Sequence, residues 1–174
     1  TVGTKLPLTE IRIITDDGKE AGVEEPGELQ ARGPQVMRGY WNRPDATAEV
    51  MTEDGFFKTG DVAVVQDDGY YRIVDRIKDL ILVSGFNVYP NEIEDVLSSM
   101  DGVLEVGVVG VKGDDGNESV KACVVLDPGA SVSEDAIKAF AKENLAGYKC
   151  PKVIEFIDEL PKSAVGKILR RELR

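Results

Sequence analysis

Three polar stretches of the 174-residue chain have residue types and spacing that could do chemistry. Lys58-Thr59-Gly60-Asp61 sets a glycine against an acid just before an apolar run. A carboxylate there could accept two hydrogen bonds from a ribose diol, although taken alone the four residues also read as a turn. Asp75-Arg76-Ile77-Lys78-Asp79 puts four charges into five positions, which breaks apolar alternation and marks an exposed joint. On spacing alone it is a salt-bridged surface segment. Pro161-Lys162-Ser163-Ala164-Val165-Gly166-Lys167 is a turn-prone loop ending in a lysine. It is not a phosphate-binding P-loop: that motif needs a glycine where Pro161 stands, and a magnesium-binding Ser or Thr in place of Ile168.

Composition narrows the chemistry. There is no His, so neither a Ser-His-Asp triad nor a His-bearing zinc site can be built from this chain. Cys123 and Cys150 lack metal-ligand spacing and read as reduced, structural thiols. The net charge of −11 is uneven: Lys149 to Arg174 holds 7 basic and 4 acidic residues, a net +3 against −14 for the preceding 148 residues. An acidic body argues against nucleic-acid binding. The basic tail suits a phosphorylated small molecule or an anionic surface, or is a solvated helix face. No apolar run approaches the roughly 20 residues of a membrane-spanning helix. No signal peptide is visible, and a chain opening on Thr1 is expected to be a piece of something longer.

The elements that must position these groups fall on either side of the charged joint. Residues 1 to 43 read as short strands and turns: Glu10 to Thr15 around Ile11, Ile13 and Ile14, then Asp16-Asp17-Gly18-Lys19, then Gly27 to Arg32. Pro44 to Val50 reads as a short helix. Phe56 to Thr59 and Val62 to Val65 read as strands punctuated by Gly60-Asp61, and Tyr70 to Val74 as another. After the joint, Leu80 to Val83, Ser84-Gly85 and Phe86 to Tyr89 read as a hairpin that leads to Pro90 at the start of a helix. Ile93, Val96, Leu97 and Met100 give that helix one apolar face. Strands are expected over Val103 to Val111, Ser119 to Leu126 and Lys152 to Ile157, with a turn over Lys112 to Glu118. A helix capped by Ser133 and stopped by Gly147, and a short final helix around Ile168 to Leu173, complete the reading. The expected class is α+β. A small antiparallel β-barrel or sheet subdomain at 1–77 is followed at 78–174 by an α+β domain with a short hairpin and a three-stranded sheet covered by helices.

Four segments in order carry a resemblance. They are Gly27-Glu28-Leu29 through Gly39-Tyr40-Trp41; Asp54-Gly55-Phe56-Phe57-Lys58-Thr59-Gly60-Asp61; Asp75 to Asp79 with Ser84-Gly85; and Leu160-Pro161-Lys162 to Gly166-Lys167-Ile168. Together they resemble motifs of the AMP-forming acyl-CoA synthetases, within the adenylate-forming superfamily. The GFNVYPNEIEDV and ELPKSAVGKILRREL wording is most similar to bacterial long-chain fatty acid–CoA ligases. The resemblance implies that residues 1–77 are the last β subdomain of a large N-terminal adenylating domain and 78–174 its C-terminal lid. The phosphate loop, the acyl tunnel and the magnesium site would belong to the rest of that N-terminal domain.

Residue by residue, the resemblance implies that Asp61 holds the ribose hydroxyls of ATP and that Arg76 reaches the same nucleotide. Lys78 takes the hinge position, Gly85 lines the pantetheine passage of CoA, and Lys167 is the lysine of acyl-adenylate formation. The implied substrates and cofactors are a fatty acid, ATP, CoA and Mg2+. The partner is the remainder of the enzyme, with no nucleic acid. The implied location is cytoplasmic, with peripheral contact between the basic tail and an anionic membrane surface. Two other readings remain open: a stand-alone lid-like interaction module, and an adenylating ligase for a different acid or acceptor.

Overall fold

A computed structural model describes residues 1–113 and 116–174, which divide into two compact units, Thr1–Lys78 and Asp79–Arg174. The turn expected over 112–118 includes Asp114 and Asp115, which lie outside the described residues.

The first unit is a four-stranded antiparallel sheet in chain order, made of β1 (Glu10–Ile14), β2 (Gly27–Arg32), β3 (Phe57–Val65) and β4 (Tyr71–Arg76), with α1 (Pro44–Val50) between β2 and β3. Ile13, Phe56, Val62, Ala63 and Val64 are its buried apolar residues. The two runs expected on either side of Gly60-Asp61 are one continuous strand. Gly60 takes φ +71° and its neighbourhood bulges, with the register against β2 shifting between Glu28 and Gln30. A glycine inside a strand can end it or bulge it, and here the Thr59 hydroxyl donates to the Leu29 carbonyl at 2.8 Å and keeps the strand paired.

Charge supports this sheet from outside. The Arg12 and Arg32 guanidinium groups lie 4.0 and 4.4 Å from the centre of the buried Phe56 ring. Arg12 Nη1 also pairs with Asp54 Oδ2 at 2.6 Å. The Asp54-Gly55-Phe56 turn thereby grips both β1 and β2. The Arg12 guanidinium, with help from the Thr52 hydroxyl, holds the Asp54 carboxyl down at about 2.

The second unit opens with the expected hairpin, β5 (Ile81–Val83) and β6 (Phe86–Val88), followed by α2 (Pro90–Ser98). Then come β7 (Val103–Lys112), β8 (Glu118–Leu126), α3 (Glu134–Asn144) and β9 (Val153–Phe156). β7 and β8 are antiparallel and β9 joins β8 in parallel. Ser133 caps α3 as expected, its Oγ accepting from Ala136 N at 3.2 Å. One sheet face packs Val106, Val108, Val120 and Val124 against Ile93 and Leu97 of α2, Ile137 and Ala141 of α3, and Ile81 and Val88 of the hairpin.

Two expected helix ends are corrected. α3 stops at Asn144, and Gly147 begins a separate 3-10 turn, Gly147–Lys149. The final helix is only the 3-10 turn Arg170–Glu172, because the backbone ahead of it is committed elsewhere: Lys162 bridges Ile168, and Leu169 N donates to Pro161 O at 2.8 Å. That segment covers the second face of the sheet, where Leu160, Leu173 and Ile168 meet Val109, Cys123 and Val125.

Two outcomes follow. A Cβ on Gly27 would lie 2.5 Å from the Ile14 carbonyl oxygen, which is backbone and cannot swing aside. Gly27→Ala should therefore cost about 1–3 kcal/mol in urea unfolding of the protein, and an unchanged midpoint would contradict this packing. For Asp54 the folded value lies below its ordinary 3.8, so its contribution to stability is complete above that value and is lost as pH falls from about 4 through 2. A carbon-13 NMR titration of the Asp54 carboxyl should show a midpoint near 2 in the wild type, rising toward its ordinary value in Arg12→Met.

Candidate functional site

In the first unit, the bulge in β3 and the end of β4 place two of the expected residues side by side. Asp61 and Arg76 are register partners, and Arg76 Nε lies 2.8 Å from Asp61 Oδ1. The Asp61 N–H donates to the Thr59 hydroxyl at 3.1 Å. The carboxylate is 22% exposed and the arginine 54% exposed, so the pair sits at the surface rather than in the core. A carboxylate has about four lone-pair sites, so one bond to arginine leaves it able to accept from a diol.

The charged joint is narrower than its sequence suggests. Asp75 is 2% exposed, in β4, and its Oδ1 accepts from Arg76 N at 2.8 Å. A buried carboxylate must be satisfied by donors, and this one fixes the backbone that carries Arg76. The exposed part of the segment is Arg76 with Ile77 and Lys78 of the 3-10 turn Ile77–Asp79. The division between the two units falls directly after Lys78.

In the second unit, Ser84 and Gly85 form the hairpin corner with φ +51° and +86°. Both residues of a type I′ turn need positive φ, which is why the corner takes glycine. The corner is sterically open, since a Cβ at Gly85 would meet nothing within 4 Å. Phe86, next to it, stacks on Tyr148 with ring centroids 4.8 Å apart, and both rings are exposed. Glu92 holds the neighbouring Lys149 at 2.6 Å. That aromatic pair went unrecognised in the sequence, since its members lie far apart and neither belongs to a periodic face.

Lys167 stands on a closed turn rather than a loose loop. Ser163 N donates to Lys167 O at 2.8 Å, Lys167 N donates to Ser163 Oγ at 3.2 Å, and Gly166 N donates to Ser163 O at 2.8 Å. The lysine is exposed, and among the described residues its ammonium enters no ion pair. The turn is anchored on both sides: Lys162 pairs with Glu105, while Arg170 Nη2 lies 2.7 Å from Glu94 Oε2. Neither Arg170 nor Glu94 stood out in the sequence, where Arg170 looked like one flank of a helix.

Both cysteines are free thiols. Burial pushes the Cys123 thiol up, so it is a poor nucleophile. Among the described residues no group of three or more His, Cys, Asp or Glu could hold a metal ion.

Residues 1–41 match the model for the AMP-binding enzyme, and residues 92–167 match the AMP-binding enzyme C-terminal domain. The chain belongs to the AMP-binding enzyme family and corresponds to a C-terminal part of its members. It is 55% identical to a long-chain-fatty-acid–CoA ligase of Escherichia coli O157:H7 over its whole length, which is 31% of that relative. It is 45% identical to a feruloyl-CoA synthase of an Amycolatopsis species, spanning 35% of it. Among solved structures, ATP-bound MatB from Rhodopseudomonas palustris matches 99% of the chain with a TM-score of 0.93 at 39% identity, over 34% of that protein.

Because the Gly85 corner is open, its preference for glycine is conformational. Gly85→Ala should cost about 1–2 kcal/mol from the left-handed backbone alone, and Gly85→Asn less, since Asn tolerates that region. Thermal or urea unfolding of the two variants checks the order. A loss in Gly85→Asn as large as in Gly85→Ala would mean that the corner is crowded after all.

Proposed function

We propose that this chain is the nucleotide-holding end and the lid of an ATP-dependent ligase that joins a long-chain fatty acid to CoA through an acyl-adenylate. The observation that carries the reading is the exposed lysine at Lys167, set on a braced turn in the unit that matches the C-terminal domain of AMP-binding enzymes. The Asp61–Arg76 pair supports it from the other unit. Identity of 55% to a long-chain-fatty-acid–CoA ligase supports a fatty acid as the substrate.

In this reading Asp61 accepts hydrogen bonds from the ribose hydroxyls of ATP, and Arg76 both orients that carboxylate and faces the nucleotide. The fatty carboxylate attacks the α-phosphorus and pyrophosphate leaves. The ammonium of Lys167 stabilises the negative charge that gathers on the phosphoryl oxygens, and its long stem lets it reach that centre. The CoA thiolate then attacks the acyl carbonyl of the mixed anhydride, and AMP leaves with the phosphoryl oxygen. The Gly85 corner borders the passage of the thiol. Lys78 is the hinge between the steps, as befits a solvated residue whose rotation reopens no apolar core. Magnesium would accompany ATP in the remainder of the longer enzyme.

A cytoplasmic location and contact with an anionic membrane belong to the same proposal. Four of the seven basic residues of the tail, Lys149, Lys162, Arg170 and Arg171, are ion-paired with nearby glutamates. The contact would therefore rest on Lys152, Lys167 and Arg174. No helix among the described residues is long and apolar enough to cross a membrane.

The test uses the full-length enzyme that carries this stretch. Lys167→Ala should lower fatty-acid-dependent pyrophosphate exchange on the order of 10²-fold or more, while supplied acyl-adenylate and CoA still give thioester at close to the wild-type rate. Equal loss of both half-reactions, with the fold intact, would remove the role of Lys167.

A further inference from the structure

Arg170 is a cation that the chemistry above does not use, yet it is more tightly held than Lys167. Its side chain is 17% exposed, with Nη2 2.7 Å from both Asn91 Oδ1 and Glu94 Oε2. Its Nη1 lies 3.9 Å from Asp79 Oδ2. Glu94 is itself fixed, since its Oε1 accepts from Val108 N of β7 at 2.8 Å. One planar guanidinium therefore ties the 3-10 turn that follows the Lys167 turn to the first turns of α2, through Glu94 to the sheet, and to Asp79. Asp79 is the first residue of the second unit and directly follows Lys78.

That juxtaposition matters because a lysine on a surface turn contributes to a transition state only if its stem starts from a fixed place. Leu169 N reaches back to Pro161 O and closes the base of the turn, and Arg170 follows at once. If Lys78 is the hinge, the Arg170–Asp79 contact makes the Lys167 turn move with the first residue beyond it. We infer that Arg170 is a positioning residue for acyl-adenylate formation, acting through Lys167 by clamping its turn to α2 and Asp79. This rests on the ligase reading above. A lysine at this position would carry its three donors on one nitrogen and lack the planar fork whose separate nitrogens face Asn91 and Glu94 on one side and Asp79 on the other, so the inference also separates the guanidinium from mere positive charge.

The experiment is a double-mutant cycle in the full-length enzyme, read by pyrophosphate exchange and separately by thioester formation from supplied acyl-adenylate and CoA. Arg170→Met should lower the kcat of exchange on the order of 10- to 100-fold, as displacement of a catalytic group by about 1 Å does. Its KM for ATP and its thioester rate should stay close to wild type. Arg170→Lys should recover only part of the loss. In the Lys167→Ala background, Arg170→Met should cause little further loss, because a residue that acts only through the lysine has nothing left to position. Additive losses would overturn the inference, as would equal loss of both half-reactions in an Arg170→Lys enzyme that keeps its wild-type thermal midpoint. The Lys167→Ala enzyme separates the two claims. If it alone keeps full exchange, the ligase reading fails and takes the inference with it; if it loses exchange selectively while Arg170→Met is additive, only the inference falls.

Discussion

The second unit depends on one packing constraint: a segment with no helix of useful length has to be held against the outer face of a three-stranded sheet. Leu160 and Leu173 do this, at 4% and 6% exposure, against Val109, Cys123 and Val125. The close approach is possible because β7 has a glycine beneath them. A Cβ on Gly107 would lie 2.6 Å from Leu173 Cδ1 and 2.9 Å from Leu160 Cδ2. Burying a leucine is worth about 1.5–3 kcal/mol, whereas an exposed ion pair such as that of Lys162 contributes about 0–1 kcal/mol. The two leucines therefore set where the segment lies, and the charged contacts set its orientation. Lys121 adds a directional bond by donating to the Leu173 carbonyl at 2.9 Å while pairing with Glu155 at 2.6 Å. The Lys167 turn lies between the two leucines in sequence, so both of its ends are fixed while its tip meets water.

The first unit solves a similar problem with hydrogen bonds. A regular β3 would alternate its side chains and need not bring Asp61 beside Arg76. The bulge around Gly60 changes the register against β2, and the later shift between Val62 and Ala63 changes it against β4. Each shift re-aims a side chain at the rim of the sheet, where bulges most often serve that purpose. Buried Asp75 then fixes the backbone of Arg76 from within.

Apolar periodicity carried most of the fold. The α2 face, the Ser133 cap and the long strands of the second unit were legible because burial and local bonding agree there. Two of the misreadings have a common cause. Gly60 was read as a strand break and residues 168–173 as a helix, and in each case a carbonyl outside the local pattern took the bond that decided the outcome: Leu29 O from the Thr59 hydroxyl and Pro161 O from Leu169 N. No local pattern encodes such partners. The third, Gly147 as a helix stop, missed that the backbone already turns extended at Leu145. The candidate chemistry was legible only as ordered motifs. Arg170, Glu94 and the Phe86–Tyr148 stack were not legible, because their significance is a distance across the fold.

The burial of Asp75 bears on how two units joined by a short charged segment could move. Had all four charges from Asp75 to Asp79 been solvated, rotation could have been spread over the whole stretch. Instead Asp75 and Arg76 belong to β4, and Arg170 approaches Asp79 on the other side. Only Ile77 and Lys78 remain outside both anchors. A change of direction confined to two residues must be taken up by few backbone angles. The buried carboxylate of Asp75 thus narrows the solvated part of the joint beyond β4 to Ile77 and Lys78, the second of which is the residue proposed above as the hinge.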